Sequence, residues 1–162
     1  MKIKKLIKQE IDVKFTGITL LSKEEYETDK DIIPLTNGWW WLRSPGYVQT
    51  YVTCVGFNGF IIDYYHNIYD NGCVRPALYI WNHESSNLNR GDKFELAGYT
   101  WTMLSGDLAL CDDNVDTTYF CKYRKPNDSN DYEKSDIKIW LHNWACRNDI
   151  EFMMQTFSPD DE

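Results

Sequence analysis

Residues that bind metals or attack substrates are present in this chain, but their spacing suits neither task. The three histidines (His66, His83, His142) are far apart and form no HExxH pair. The five cysteines are odd in number and contain no CxxC pair, so neither a zinc knuckle nor a disulfide framework is indicated. The cysteines are Cys54, Cys73, Cys111, Cys121 and Cys146. We therefore expect no metal, no cofactor and no catalytic residue, and we interpret the protein as not an enzyme.

The cysteines are interpreted as reduced thiols of a cytoplasmic protein. Cys73 and Cys146 have apolar neighbours and are predicted to be small core residues. The N-terminal sequence MKIKKLIKQEI is not typical of a secretory signal, because Lys, Gln and Glu interrupt its apolar positions. No apolar run approaches the roughly twenty residues that a membrane-spanning helix needs. We expect neither secretion nor membrane insertion.

Acidic residues outnumber basic ones, 25 to 17, and give a net charge of −8, which argues against direct binding of nucleic acid. The simplest interpretation is a solvated, solubilising surface. The alternative is a surface that imitates a nucleic-acid backbone and occupies a basic groove on a partner. The acidic candidates for such contacts are Asp112, Asp113, Asp116, Asp128 and Asp131.

Aromatic residues make up 15% of the chain, with seven Trp and eleven Tyr, and most are expected in the core. Side chains alternate along a strand, so Trp39, Trp40 and Trp41 cannot all face inward, and at least one should be exposed or covered by a loop. We take Trp39, Tyr64 and Tyr65 as aromatic candidates for partner contacts.

The elements that position these residues are marked by turn and capping signals. Ser22-Lys23-Glu24-Glu25 is a capping box and predicts a short helix, whereas Ile3–Gln9 is a weaker helix candidate. Asn58-Gly59 predicts a hairpin that pairs Val52–Phe57 with Phe60–Tyr65. Asn71-Gly72 predicts a further turn, followed by one strand over Val74–Ile80.

A polar, turn-rich stretch at 82–91 predicts a linker. Beyond it, Lys93–Leu96, Tyr99–Leu104 and Leu108–Leu110 predict a meander of short strands. Ser135 should cap a helix over about 135–147. Its apolar face is predicted to bury Ile137, Trp140, Leu141 and Trp144 against the sheet.

The segments Trp40–Gly46 (WWLRSPG) and Gly72–Leu78 (GCVRPAL) resemble a bacterial and phage domain of unknown function. Those domains resemble in turn the C-type-lectin-like fold, which formylglycine-generating enzymes share. The resemblance implies an α+β fold of twisted antiparallel sheets with two or three short helices. In it Trp40, Trp41, Arg43, Arg75, Trp140 and Trp144 are structural.

The second half also resembles that family, at Gly91–Trp101 and Ser135–Leu141, but the halves stand in exchanged order. The resemblance implies one circularly permuted domain over 1–162, with the family's C-terminal half at 1–81, a linker at 82–91 and its N-terminal half at 92–162. Such a permuted chain would be a monomer. The alternative is a dimer whose chains exchange halves.

Arg43 and Arg75 are the charged members of the two resembling segments. A guanidinium offers five donors in a fixed plane, so each is expected to hold backbone carbonyls or carboxylates where the chain turns. The alternative, an anion held by both, requires the two side chains to converge on an open pocket.

Two functions remain, and both are binding. The first is a non-catalytic module that engages a protein, or a glycan, through aromatic and loop residues. The second is a phage or mobile-element inhibitor of a bacterial defence nuclease, like an anti-CRISPR protein, acting through its acidic surface.

Overall fold

The computed structural model describes residues 2–5, 10–81, 88–122 and 124–153 of the 162-residue chain. The strands are β1 (Lys2–Lys5), β2 (Glu10–Asp12), β3 (Phe15–Thr19), β4 (Trp40–Pro45), β5 (Val52–Val55), β6 (Ile61–Ile62), β7 (Asn71–Val74), β8 (Ala77–Ile80), β9 (Lys93–Leu96), β10 (Tyr99–Met103), β11 (Leu108–Cys111) and β12 (Asp116–Tyr119). The helices are α1 (Lys23–Asp29) and α2 (Asp136–Arg147), with short 3-10 segments at Lys30–Ile32 and Tyr132–Lys134.

The described strands form a seven-stranded sheet, in the order β2-β1-β9-β10-β11-β8-β3, and a five-stranded sheet, in the order β12-β7-β4-β5-β6. The strand pairs are antiparallel, apart from the parallel pair of β4 and β7. The mixed α+β class predicted from the sequence is therefore confirmed. No helix within the described ranges is long and apolar enough to cross a bilayer.

Strands from the two ends of the chain share these sheets. The β9-β10-β11 meander has β1 on one side and β8 on the other, and β12 pairs with β7. Leu78 and Ile80 pack in the same cluster as Trp101 and Met103. Neither 1–81 nor 92–162 completes a sheet by itself, because β8 and β9 each have a neighbour from the other half.

Strand β4 lies between two apolar clusters. Trp41 packs into the larger cluster and Trp40, on the opposite face, packs into the smaller one with Tyr26 and Leu42. The Trp41 indole also donates to the Thr118 carbonyl, at 3.0 Å, which fastens β4 to the edge strand β12. The adjacent tryptophans are thus buried on both faces of the five-stranded sheet.

The predicted Val74–Ile80 strand is wrong, because the chain leaves one sheet at Val74 and enters the other at Ala77. Arg75-Pro76 makes the crossing, and Pro76 has no N–H to continue a ladder. The turn predicted at Asn71-Gly72 is also wrong, since both residues lie in β7. A Cβ on Gly72 would meet the Trp39 ring at 2.4 Å, so this glycine serves close packing instead.

The Asn58-Gly59 hairpin is confirmed, with β5 and β6 as its shorter paired strands and Gly59 at a φ of 85°. The capping box at Ser22 and the three-stranded meander are confirmed as well. The helix candidate at Ile3–Gln9 is wrong over its described part, because Lys2–Lys5 pairs with β2 and β9 as a strand. Its remaining residues, 6–9, lie outside the described ranges.

Helix α2 begins after the Ser135 cap, as predicted, and buries Ile137, Leu141 and Trp144. Trp140 is half-buried, which corrects its predicted full burial. The buried face of the helix is narrow, and Ala145 forms its edge on the side opposite Trp140. Trp140 therefore lies at the margin of this face.

Candidate binding surface

Seven large apolar side chains are exposed on neighbouring loops at the β6 edge of the five-stranded sheet. Tyr64 and Tyr65, two of the sequence candidates, are 69% and 71% exposed. We call the whole set the aromatic strip, and its members are Leu35, Tyr47, Val48, Phe57, Phe60, Tyr64 and Tyr65. Exposed apolar residues are unremarkable singly, but a concentration on adjoining segments marks an interaction surface.

Local hydrogen bonds hold the segments of the strip beside one another. The Tyr47 amide donates to the Asp63 carbonyl at 2.6 Å, which joins the loop before β5 to the segment after β6. At the hairpin tip, the Gly56 amide donates to the Phe60 carbonyl at 2.8 Å. The strip is therefore carried by backbone that is itself hydrogen-bonded.

The strip is poor in charge. Asp63 is the single acidic or basic residue in the ranges 46–51 and 57–65, in a chain that is 26% charged. Charge depletion together with aromatic enrichment is the composition found at the centre of protein interfaces. Solubility alone would favour the opposite composition.

Trp39 does not belong to the exposed surface. It is half-buried, and its ring stacks on His66 with centroids 3.5 Å apart and planes at 12°. His66 in turn meets the edge of Tyr65, at 4.9 Å. Trp39 thus supports the strip from below, and its predicted partner contact would be indirect. The sequence predicted that at least one of the three tryptophans would be exposed or covered by a loop. Trp39 is that residue, and the loop that carries His66 covers it.

His66 sits between this aromatic stack and the Asp70 carboxylate, 3.5 Å from its Nδ1. Burial lowers the pKa of His66, and the Asp70 carboxylate opposes that effect without cancelling it. The imidazole is consequently neutral at pH 7, and the strip has no cation beneath Tyr65.

Three of the acidic candidates, Asp112, Asp128 and Asp131, accept hydrogen bonds from other residues of the chain. Asp112 accepts hydrogen bonds from Lys93 Nζ, at 2.6 Å, and from the Thr102 hydroxyl. Asp131 caps the 3-10 segment through the Glu133 amide. These two carboxylates satisfy local donors, so their first role is structural.

Asp128 is engaged in the same way, accepting from the Lys125 amide at 2.7 Å and from the Tyr69 hydroxyl at 2.8 Å. The Lys125 amide, and then the Tyr69 hydroxyl, lower the pKa of Asp128 despite partial desolvation. Asp113 and Asp116 are exposed, and Asp116 accepts from the adjacent Thr117 amide. The structure does not gather the five carboxylates into one site.

The two arginines hold the chain where it turns and have different partners. Arg43 Nη1 donates to the Leu20 carbonyl at 2.6 Å and to Glu25 at 2.5 Å. Arg75 is fully buried and donates to the carbonyls of Cys111 and Asp112, at 2.7 and 3.0 Å. These are the contacts expected for structural arginines.

Arg75 has no carboxylate in these contacts. Its guanidinium carbon lies 4.8 Å from the centroid of Trp40, so the ring face supplies part of the compensation for its buried charge. Burial is the main reason that the pKa of Arg75 falls to about 10. The group still carries its charge at neutral pH.

All five cysteines lie within the described ranges and are free. Cys146 is exposed on α2, which contradicts its predicted core position, while Cys73 is partly buried. Desolvation raises the pKa of Cys111 to about 12 and that of Cys121 to about 11, so these thiols are poor nucleophiles at neutral pH. Among the described residues, no group of three or more His, Cys, Asp or Glu side chains could hold a metal ion.

A surface cleft of about 430 Å³ lies between α1 and the turn that joins β10 to β11. Two of its carboxylates are already paired, Glu25 with Arg43 and Asp29 with Arg90 and Ser105. The cleft walls are therefore held together by internal bonds.

Sequence reasoning missed several members of the strip, including Tyr47, Phe57 and Phe60. The signal for the last two was available, because a hairpin turn at Asn58-Gly59 has phenylalanines directly beside it at a position that faces solvent. For Tyr47 there was no local signal, because the backbone hydrogen bond of this residue is to the distant Asp63 carbonyl.

Comparison with known proteins gives one partial similarity. Residues 11–81, less than half of the chain, match the model of a domain of unknown function, DUF6273. The matched range includes the WWLRSPG and GCVRPAL segments and all seven residues of the aromatic strip. No curated protein and no solved structure gives a significant match to this sequence.

Proposed function

We propose that this protein is a non-catalytic binding module that engages a protein partner through the aromatic strip. The observation that supports the proposal is the combination of exposed aromatic side chains and missing charge on adjoining, hydrogen-bonded segments. Tyrosine and phenylalanine bury a large area at little entropic cost, which suits them to the centre of an interface.

A protein fits this surface better than a nucleic acid does. The loop segments 46–51 and 57–65 contain no Lys or Arg, although the Lys30 ammonium lies over the Phe60 ring. The whole chain carries a net charge of −8, so phosphates would be repelled. A glycan is the other class of ligand that binds exposed aromatic rings, and a glycan array distinguishes it from a protein partner.

The alternative function is an inhibitor of a bacterial defence nuclease, of phage or mobile-element origin and anti-CRISPR-like, that acts by acidic mimicry. It has the overall charge and the exposed Asp113 and Asp116 in its favour. It is less well supported, because Asp112, Asp128 and Asp131 already satisfy internal donors.

The C-type-lectin-like, permuted arrangement belongs to the same proposal. Such scaffolds present variable loops on a fixed core, and here the strip lies on loops of a sheet whose strands come from both ends of the chain. We place the protein in the cytoplasm, where its cysteines stay reduced.

The test immobilises the full chain, exposes it to a bacterial lysate at low and at high salt, and compares the captured proteins between variants by mass spectrometry. The strip variant is Phe60→Ala with Tyr64→Ala, and the matched control is Ile139→Ala, which removes an apolar side chain that is 62% exposed on α2. A glycan array is probed with the same variants.

We expect a protein that is captured by the parent and by the control at both salt concentrations and lost by the strip variant, because apolar contacts are not screened. Capture that vanishes at high salt and with Asp113→Asn and Asp116→Asn would support the acidic alternative. Binding on the glycan array that the strip variant loses would mean that the ligand is a glycan and not a protein. Capture that no variant changes would refute the proposal.

A further inference from the structure

The tip of the β5–β6 hairpin is fastened to α1 by one hydroxyl. The Tyr26 side chain, 2% exposed, donates from its phenolic oxygen to the Gly59 carbonyl at 2.7 Å. Tyr26 and Gly59 are thirty-three positions apart, so the bond joins two elements that the sequence does not place together. Turn carbonyls at a hairpin tip otherwise face water.

The surroundings of Gly59 show that the tip is folded down onto its support. Gly59 is buried although its neighbours Phe57 and Phe60 are 70% and 64% exposed. A Cβ on Gly59 would lie 2.9 Å from Leu35 Cδ2 and 3.4 Å from the Tyr26 hydroxyl. Any side chain there would require the end of Leu35 to shift and would be strained by the φ of 85°.

A second contact from the same helical region reaches the tip. Lys30, directly after α1, places its ammonium 5.2 Å from the centroid of the Phe60 ring. Helix α1 is itself anchored, since Arg43 binds Glu25 and Ser105 binds Asp29. The helix therefore offers the hairpin a fixed base.

We propose that Tyr26 is a positioning residue of the aromatic strip, whose hydroxyl holds the hairpin tip so that Phe57 and Phe60 are presented in one orientation. The inference rests on the proposed function for its meaning in binding. A surface ordered before contact loses less entropy on association, so the latch would raise affinity without touching the partner.

The substitution Tyr26→Phe isolates the hydroxyl, because the ring keeps its edge contact with Trp40, at 5.6 Å. Hydrogen exchange of the free full chain then reports the tip directly, through the amides of Gly59 and Gly56, which donate to Gly56 and Phe60 at 2.9 and 2.8 Å. We expect both amides to exchange roughly three- to tenfold faster, the range that corresponds to one lost hydrogen bond.

The matched control is Tyr69→Phe, which removes another hydroxyl hydrogen bond, to Asp128, away from the tip. It should leave the Gly56 and Gly59 amides unchanged. The amides of Arg43 and Cys111, bonded to Leu21 and Pro76, should keep their exchange rates in Tyr26→Phe. Unchanged rates at the tip, or an equal acceleration at all four amides, would overturn the latch.

This measurement needs no partner, so its outcome is independent of the binding proposal. A local acceleration at the tip combined with capture that ignores Phe60→Ala would retain the latch and refute strip binding. If capture depends on Phe60 but not on Tyr26, and the tip amides of Tyr26→Phe exchange at the parent rate, strip binding is retained and the latch is refuted.

Discussion

Arg75 is a charged side chain that the protein uses as part of its core. Two carbonyls and the Trp40 ring surround its guanidinium, and together they connect the crossing between the two sheets to the end of β11. Removing one side of a buried polar contact costs more than the contact contributes, because the remaining groups stay desolvated.

Arg75→Ala should therefore lower the free energy of unfolding by roughly 3–5 kcal/mol, from the cavity and the unpaired carbonyls of Cys111 and Asp112. Arg75→Lys should cost less, about 1–3 kcal/mol, since one ammonium can replace part of the bonding. Urea unfolding measures both, with the exposed Arg147→Ala as control. An alanine variant as stable as the control would show that the guanidinium is dispensable.

Asp29 is the second residue on which distant parts of the chain depend. Burial acts to raise the pKa of Asp29, but hydrogen bonds from Ser105 and Arg90 outweigh it and leave the pKa below its ordinary value of 3.8. A carboxyl with a depressed folded pKa stabilises the protein above its unfolded pKa, and this contribution is lost as pH falls through the folded value.

We expect the parent to lose stability as the pH falls below about 4, and Asp29→Asn to be less stable at pH 7 with a flatter acid limb. Thermal unfolding followed from pH 7 down to about pH 2.5 provides the comparison. Parallel acid limbs in the two proteins would remove Asp29 from the explanation. The exposed Asp113→Asn serves as the matched control.

At the scale of elements, α2 contains two tryptophans one helical turn apart that are buried to different extents. Trp144 is 6% exposed and meets Trp101 at 6.3 Å between ring centroids, whereas Trp140 is half-buried at the margin of the cluster. The sequence periodicity placed them on one face, but the width of the face that meets the sheet is set by the sheet.

Trp144→Ala should consequently destabilise by about 3–5 kcal/mol and Trp140→Ala by less, because Trp140 keeps part of its side chain in solvent. Urea unfolding with Trp fluorescence or circular dichroism ranks them, and Ile139→Ala, exposed on the same helix, should be nearly neutral. If Trp140→Ala were less stable than Trp144→Ala, the face of α2 that packs on the sheet would be centred on Trp140 and not on Trp144.

At the scale of the whole molecule, the two halves of the chain are interleaved. Strand β8 lies between β3 and β11, and Met153 donates to the Phe15 carbonyl at 2.7 Å, so the end of the described chain lies beside β3. A circular rearrangement requires instead that the two chain termini lie close together. The chain termini themselves lie outside the described ranges.

A reordered protein, with Glu162 joined to Met1 by a short Gly-Ser linker and the chain reopened at Asn87, should fold as a monomer. The separate fragments 1–81 and 92–162 should not fold, because each leaves an apolar sheet edge and half a core exposed. Circular dichroism and sedimentation test all three. An unfolded reordered chain beside a monomeric parent would exclude permutation, and a parent dimer with exchanged halves would establish the swap.

The sequence by itself determined the elements whose cause is local. A capping box needs Ser22 and Glu25 three positions apart, a hairpin turn needs a glycine able to adopt positive φ at position 59, and an α2 cap needs Ser135 before its first turn. All three lie where the sequence predicts them, because interactions within a few residues do not depend on the rest of the fold. The mixed class follows from the same signals.

Tertiary structure alone decided where those elements meet. The division of Val74–Ile80 between two sheets, the burial of Arg75 and the strand at Lys2–Lys5 each depend on partners far away in sequence. The exposure of Tyr47 and the latch on Gly59 do as well. Composition indicated that aromatic residues would be available for binding, but which ones face solvent was settled by long-range packing, which propensity and spacing do not encode.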